Sequence, residues 1–324
     1  INAILDMIDE QYVDTVSMSK LVESTIPKIF SELDPHSVYI PAEDASVVNE
    51  ELEGSFSGIG VSFNMQTDTI LVISVISGGP AEKAGLLPFD RIISINDSIF
   101  SGKKKNQGEI MKTLRGAKNS TVKLGVQRGN SPELLYFDVT RGDVPVNSVD
   151  VSFEAAKGIG YIKVSKFARN TYNEFITAIA KLKQAGCTSF VIDLRGNTGG
   201  YMDAATGIAS EFLPKNDLIV YTKGLRTPYK EFRAQGPGLF REGRIIVLVD
   251  EYSASASEIV TGAIQDQDRG LVVGRRTFGK GLVQKPFVLP DGSMIRLTVA
   301  RYYTPSGRCI QKPYTMGDKM KYNM

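Results

Sequence analysis

The apolar positions of the first 33 residues fall at helical spacing. Ile4, Leu5, Ile8, Val13, Leu21, Ile26, Phe30 and Leu33 carry the pattern, and Asp34-Pro35 stops it, because the residue before a proline is pushed out of the helical region. Two or three short helices are predicted. From 54 to 143 the pattern changes. Short alternating runs at 60–63, 70–73, 91–95 and 122–126 read as strands between Gly and Asp turns. Between them, Pro80-Ala81-Glu82-Lys83-Ala84-Gly85-Leu86 reads as a helix of little more than one turn closed by Gly85, and 107–114 as a longer helix. From 158 onward, strand runs at 160–164, 189–194 and 245–249 alternate with amphipathic stretches at 171–185, 202–213 and 255–267. Apolar strands alternating with helices predict crossover units in which helices pack on a sheet. Residues 281–303 return to strand-like alternation, and no internal repeat or low-complexity tract interrupts the chain.

These patterns divide the chain into an N-terminal helical segment, 1–52, a small strand-rich module, 53–143, and an α/β core, 144–324. A chain of 324 residues with 42% hydrophobic content can bury a core in each of two or three domains. The net charge is only +2 with 23% charged residues. Without a clustered basic excess, neither nucleic acid nor an anionic membrane surface is an expected partner. No apolar run approaches the roughly 18 residues that cross a bilayer, and no signal peptide is visible. The chain begins with Ile1 rather than Met, so an upstream segment is expected to have been removed.

Cys187 and Cys309 are read as ordinary thiols rather than a bridge. With one histidine they leave too few ligands for a structural zinc, and no metal or cofactor is expected. The single histidine, His36, sits in the turn-like Leu33-Asp34-Pro35-His36-Ser37 and reads as a loop or capping residue. A hydrolase built on Ser-His-Asp or Cys-His has no other histidine to use here, so a hydrolytic base is sought elsewhere.

Four segments carry candidate chemistry. Asp250-Glu251-Tyr252-Ser253-Ala254-Ser255-Ala256-Ser257-Glu258 joins an apolar strand to a helix. A serine at such a junction stands where ligands bind in α/β folds, beside unpaired helical N–H groups. The plain alternative is a helix cap, with Ser255 and Glu258 forming a capping box. In Thr277-Phe278-Gly279-Lys280-Gly281-Leu282-Val283-Gln284 a lysine stands between two glycines. Glycines allow close backbone approach, and burial lowers a lysine's pKa until the neutral amine can accept a proton; a surface lysine in a turn is the alternative. This stretch is no phosphate-binding loop, since Gly281 stands where the hydroxyl residue belongs. Asp193-Leu194-Arg195-Gly196-Asn197-Thr198-Gly199-Gly200-Tyr201 presents bare backbone N–H groups or simply turns tightly from strand to helix. Gly58-Ile59-Gly60-Val61 enters a strand and reads either as a cradle for a peptide carboxylate beside an open strand edge or as a hairpin glycine pair.

Together these segments resemble the carboxyl-terminal processing peptidases, or tail-specific proteases, over almost the whole chain. Residues 55–141 resemble the PDZ domain inserted in that family. Asp193 to Gly200, Ser253 to Glu258, Phe278 to Gln284 and Tyr303-Thr304-Pro305-Ser306-Gly307-Arg308 resemble its ordered motifs. The resemblance implies a crotonase-like/ClpP-like α/β protease core with an inserted PDZ domain. It implies a serine endopeptidase with Ser255 as nucleophile, Lys280 at the family spacing as general base, and Gln284 holding the lysine amine. Ala256 with Gly199 or Gly200 would donate to the oxyanion, and Gly58, Ile59, Gly60 and Val61 would bind the substrate's C-terminal tail. Arg115, in Leu114-Arg115-Gly116, is the expected PDZ–core contact. The implied partners are protein or peptide substrates with free C-termini, and the implied location is the bacterial periplasm. The N-terminal segment is expected to dimerise or cap, giving a homo-oligomer. Family members usually continue past the position of Met324, so further C-terminal elements are expected. Two rival readings are an inactive PDZ scaffold that binds tails without cutting, and an acyl-binding protein of the crotonase type.

Overall fold

The first two helices, α1 (Asn2–Gln11) and α2 (Met18–Ser31), bury no residue at all. Their apolar stripe is only partly covered among the described residues, with Ile4 62% and Met7 65% exposed. A computed structural model of the chain describes every residue except 1, 43, 46–49, 51–52, 67, 104–105, 319–321 and 323–324. Ile1, Met324 and the segment end placed at 52 thus lie outside the described residues. After α2 the chain turns at Asp34, whose carboxylate accepts the N–H groups of His36 and Ser37 at 2.9 and 3.0 Å. It then forms β1 (Val38–Ile40), which pairs antiparallel with residues 294–296 of the last strand.

The described chain forms two compact units, one of residues 50–147 and one of 1–49 with 148–324. The smaller contains β2 (Ser55–Gly58), β3 (Val61–Gln66), β4 (Thr69–Val75), α3 (Pro80–Ala84), β5 (Arg91–Ile95), β6 (Ser98–Ile99), α4 (Gln107–Leu114), β7 (Thr121–Gln127), β8 (Leu134–Thr140) and β9 (Gly142–Pro145). Its sheet runs β3-β4-β5-β7-β8, with β6 on β5. Val122, Leu124 and Val126 alternate inward with Ile70, Val72 and Ile92, and α4 closes the core with Ile110 and Leu114. The entering strand β2 and the leaving strand β9 pair antiparallel, with Ser55 opposite Pro145 and Gly58 opposite Gly142. Asn106 and Glu109 form a reciprocal capping box at the start of α4.

The larger unit continues with β10 (Val149–Ala156), β11 (Ile159–Val164), α5 (Thr171–Gln184), β12 (Ser189–Asp193), α6 (Met202–Ser210), β13 (Leu218–Lys223), β14 (Lys230–Arg233), β15 (Arg244–Val249), α7 (Ala256–Asp266), β16 (Leu271–Gly274), β17 (Leu282–Val288) and β18 (Met294–Tyr303). One sheet runs β10-β11-β12-β15-β16, parallel from β11 onward. The other runs β1-β18-β13-β14, with β17 on β18. Burial alternates along β11, β12 and β15. Ile162, Phe190 and Val247 share a core with Phe175 of α5, Ile208 of α6 and Val260 of α7. The nearly continuous apolar run at 245–249 therefore has one fully buried face rather than two. Strands β1, β2, β6, β8, β9, β10, β13, β14 and β16 were not predicted. Of these, β8, β10, β14 and β16 end their sheets, where one missing neighbour weakens the apolar alternation.

Candidate active site

The loops that follow β12 and β15 leave the same edge of the parallel sheet, because those strands are neighbours with Asp193 opposite Leu248. Asp250 binds the two loops together. Its carboxylate accepts the N–H groups of Gly196 (2.9 Å), Tyr252 (3.0 Å) and Ser253 (3.1 Å). Burial opposes its ionisation, but these bonds outweigh it and hold its pKa below the usual carboxylate value. The three serines then separate by geometry. Ser253 donates to the Leu194 carbonyl at 2.8 Å and Ser257 to the Asn197 carbonyl at 2.9 Å, and both are 0% exposed. Ser255 alone is partly exposed. It sits at the N-terminus of α7 with φ 54° and ψ −112°, a conformation that costs a non-glycine residue about 1–3 kcal/mol.

The glycine loop presses against this serine. A Cβ on Gly199 would lie 2.8 Å from both Ser255 Cβ and the Ala254 carbonyl oxygen, so a bare backbone is needed there. Asn197 sets the loop: its Nδ2 donates to the Val164 carbonyl and its Oδ1 accepts the Gly199 N–H, each at 2.9 Å. This corrects one expectation, since Gly199's N–H is already engaged and is not left for an oxyanion. The N–H groups of Gly200 and of Ala256, the first residue of α7, have no partner among the described residues.

Glu258 brings the lysine segment to this serine. Its carboxylate is 2% exposed. Oε2 accepts the N–H of Ser255 and the N–H of Lys280, each at 2.8 Å, while Oε1 accepts the Gly279 N–H at 2.7 Å. The backbone nitrogens of Ser255 and Lys280 are thus no more than two hydrogen bonds apart. Phe278 N–H adds a bond to the Ser253 carbonyl at 3.0 Å. The glycines beside Lys280 serve the close approach expected of them: a Cβ on Gly281 would lie 2.6 Å from the Gln311 nitrogen. Burial pushes the Lys280 amine below its ordinary pKa, the charge of Arg296 adds to the fall, and Asp34 and Glu258 oppose it.

Gln284 departs from its expected place. Its Nε2 donates to the His36 carbonyl at 2.6 Å, and among the described residues no hydrogen bond joins it to the Lys280 amine. It holds the turn after α2 instead. His36 remains a loop residue, with Nε2 2.9 Å from the Tyr322 hydroxyl. Asp34 is the unexpected neighbour of the site: its carboxylate also accepts the hydroxyls of Ser37 (2.5 Å) and Thr298 (2.9 Å). Glu258 was legible only as a cap partner of Ser255, since its bonds to 279 and 280 cross a stretch with no local signal. A cavity of about 800 Å³ is lined by Glu258, Gly279 and Arg308 but not by Ser255 or Lys280.

In the smaller unit, β3 ends its sheet and leaves an edge open. Beside that edge lies a groove of about 230 Å³ lined by Ile59, Gly60 and Val61 on one side and Met111 and Leu114 of α4 on the other. Gly60 has φ 79°, and its carbonyl accepts the Ile76 N–H at 2.9 Å, which fixes the turn into β3. Arg115 lines the same groove. Its guanidinium lies 4.3 Å from the Phe56 ring centroid and 3.8 Å from Glu50, partners within its own unit. Cys187 and Cys309 are free thiols. Among the described residues, no His/Cys/Asp/Glu group could hold a metal and no helix is long and apolar enough to cross a membrane.

Known proteins resemble this chain in sequence and fold. Residues 158–318 match peptidase family S41, and residues 57–139 match the PDZ domain. The chain is 35% identical over 310 residues to the carboxy-terminal processing protease CtpB of Bacillus subtilis (strain 168), covering 95% of this chain and 64% of that protein. It is 36% identical over 312 residues to the carboxy-terminal-processing protease of Bartonella bacilliformis, covering 95% and 71%. The solved photosystem II D1 C-terminal processing protease matches at 27% identity with a TM-score of 0.52, over 96% of this chain and 89% of that one. With its mixed α/β fold and PDZ domain, the chain belongs to the carboxy-terminal processing proteases of peptidase family S41.

Proposed function

We propose that this chain is a serine endopeptidase that cuts proteins near their C-terminus with a Ser255/Lys280 dyad, its PDZ unit reading the substrate tail. The observation that carries the reading is the Glu258 oxygen that accepts the N–H groups of both Ser255 and Lys280. It supports a hydroxyl and an amine of lowered pKa working side by side. Neutral Lys280 Nζ takes the Ser255 proton as Oγ attacks the scissile carbonyl carbon. The N–H groups of Ala256 and Gly200 receive the negative charge that develops on the carbonyl oxygen. The C–N bond then breaks, the leaving amine takes the proton from Lys280, and water hydrolyses the acyl-enzyme. Each oxyanion donor contributes about 2.7–4 kcal/mol to lowering the barrier.

On the same reading, segment 53–143 is the tail reader and 144–324 the peptidase. The exposed apolar residues of α1 and α2 support a homo-oligomeric role for segment 1–52. Action in the bacterial periplasm belongs to the same proposal. The test compares cleavage of one protein substrate with a free and with an amidated C-terminus, products mapped by mass spectrometry. Cleavage is expected to favour the free tail and to vanish in Ser255→Ala. Cutting by that variant would refute the nucleophile, tail binding without cutting by the unaltered chain would leave a scaffold, and equal cutting of both tails would sink tail reading.

The groove also sets a preference. Its apolar walls and loop N–H groups suit a tail ending in an apolar side chain and a free carboxylate. Met111 is 37% exposed, so Met111→Asp adds a charge to the groove without opening the core. Fluorescence polarisation with an apolar-ended peptide should show about tenfold weaker binding, a loss near 1.4 kcal/mol.

A further inference from the structure

Two groups clamp the main chain of the Ser255/Lys280 pair, and Glu258 is the first. The second is the phenol of Tyr302, on β18, which is 1% exposed. Its hydroxyl donates to the Ser255 carbonyl at 3.0 Å and is also hydrogen-bonded to the Lys280 carbonyl. One O–H proton is therefore shared between the carbonyl oxygens of the same two residues whose N–H groups bond to Glu258. The ring is fixed from below: Tyr302 N–H donates to the Gly281 carbonyl at 3.0 Å, and β18 is hydrogen-bonded to β17 from Leu282 to Val288. Burial, with the Glu258 charge adding to it, pushes the phenol's pKa well up, so it stays a protonated donor while Lys280 titrates.

We infer that Tyr302 is a positioning residue of the peptidase: its hydroxyl joins the Ser255 and Lys280 backbones and so sets the distance between hydroxyl and amine. The inference rests on the proposed dyad. Geometry of this kind matters steeply, because a displacement of about 1 Å between reacting groups costs on the order of 10²-fold in rate. Its raised pKa keeps the phenol protonated, so it does not accept the transferred proton and acts by holding the two residues. Its removal should therefore lower kcat and leave KM and the pH midpoint of the reaction in place.

The experiment is Tyr302→Phe, which keeps the ring and deletes the hydroxyl, with Tyr302→Leu, Ser255→Ala and Lys280→Ala in parallel. Cleavage of a peptide substrate and the rate of Ser255 phosphonylation by a fluorophosphonate are measured across pH, together with Tm. For Tyr302→Phe, kcat and the labelling rate should fall by about 10–100-fold, with KM changed by less than about threefold. Tyr302→Leu should lose Tm as well. If Tyr302→Phe stays within twofold of the unaltered kcat while the Ser255 and Lys280 variants are inert, the positioning role is overturned and the dyad stands. If kcat falls only in step with Tm and recovers on cooling, the role is structural and the inference is likewise overturned. Full cleavage by Ser255→Ala or Lys280→Ala removes the dyad, and the inference with it.

Discussion

Lys280→Met is expected to lower kcat/KM by on the order of 10⁴-fold or more while KM changes little, the signature of a group used in the transition state rather than in binding. Methionine keeps the length and burial of the side chain, so the fold should survive. The remaining activity would come from the oxyanion donors and substrate binding alone. The pH profile of the unaltered chain gives a second check. On the proposed mechanism a neutral amine is the working form, so kcat/KM should rise with pH through the pKa of Lys280 in the free enzyme. Burial lowers that pKa first and Arg296 lowers it further, whereas Asp34 raises it. Arg296→Met should therefore move the acid limb to higher pH, and Asp34→Asn should move it to lower pH. Shifts of the same sign in both variants, or an unmoved limb, would remove Lys280 from the role of base.

Glu258→Gln carries the next largest effect. The glutamate accepts three backbone N–H groups with its two oxygens. The amide turns one of those acceptors into a donor facing donors. An unsatisfied buried group costs about 1–3 kcal/mol, and displacing the Ser255 and Lys280 backbones by a similar energy corresponds to about 10–100-fold in rate. Urea unfolding and peptide turnover would check the two losses, and an unchanged rate in a destabilised variant would separate Glu258 from the dyad. Burial raises the Glu258 pKa despite the bonds from Lys280, Gly279 and Ser255 that lower it. A group with a raised folded pKa contributes stability that is present below its unfolded pKa and lost as pH rises through the folded value. The glutamine does not titrate, so the stability gap between the two proteins should narrow with rising pH over that window.

How much of this was legible in the sequence follows from how local each signal is. The strand runs at 189–194 and 245–249 and the helix at 255–267 were readable because their apolar period lies within one element, and the structure shows β12, β15 and α7 there. Glycines 199, 279 and 281 announced close backbone approach, and the backbone does approach at each. The bonds that assemble the site were not readable. Gln284 was expected at the Lys280 amine, four residues before it in the same segment, but it reaches His36 across most of the chain. Asp34 looked like a helix terminator, yet its carboxylate docks on Thr298 and acts on Lys280. Tyr302 sits in an ordinary strand sequence, and nothing in Arg301-Tyr302-Tyr303 tells which ring turns inward. The register of β18 in its sheet decides that, with Tyr302 opposite Thr222 and Tyr303 opposite Tyr221.

The pairing of β2 with β9 has a consequence for how such a chain can change over time. The polypeptide leaves its host at Ser55 and returns at Pro145 as neighbouring strands, whose backbones are spaced by about 5 Å. A loop whose two feet are already joined costs the host almost the same closure entropy whatever it encloses. On the proposed function, the smaller unit can therefore be exchanged for one of different tail preference, or lengthened, at little closure cost to the larger unit. On that proposal, new substrate repertoires become accessible without re-engineering the Ser255/Lys280 chemistry.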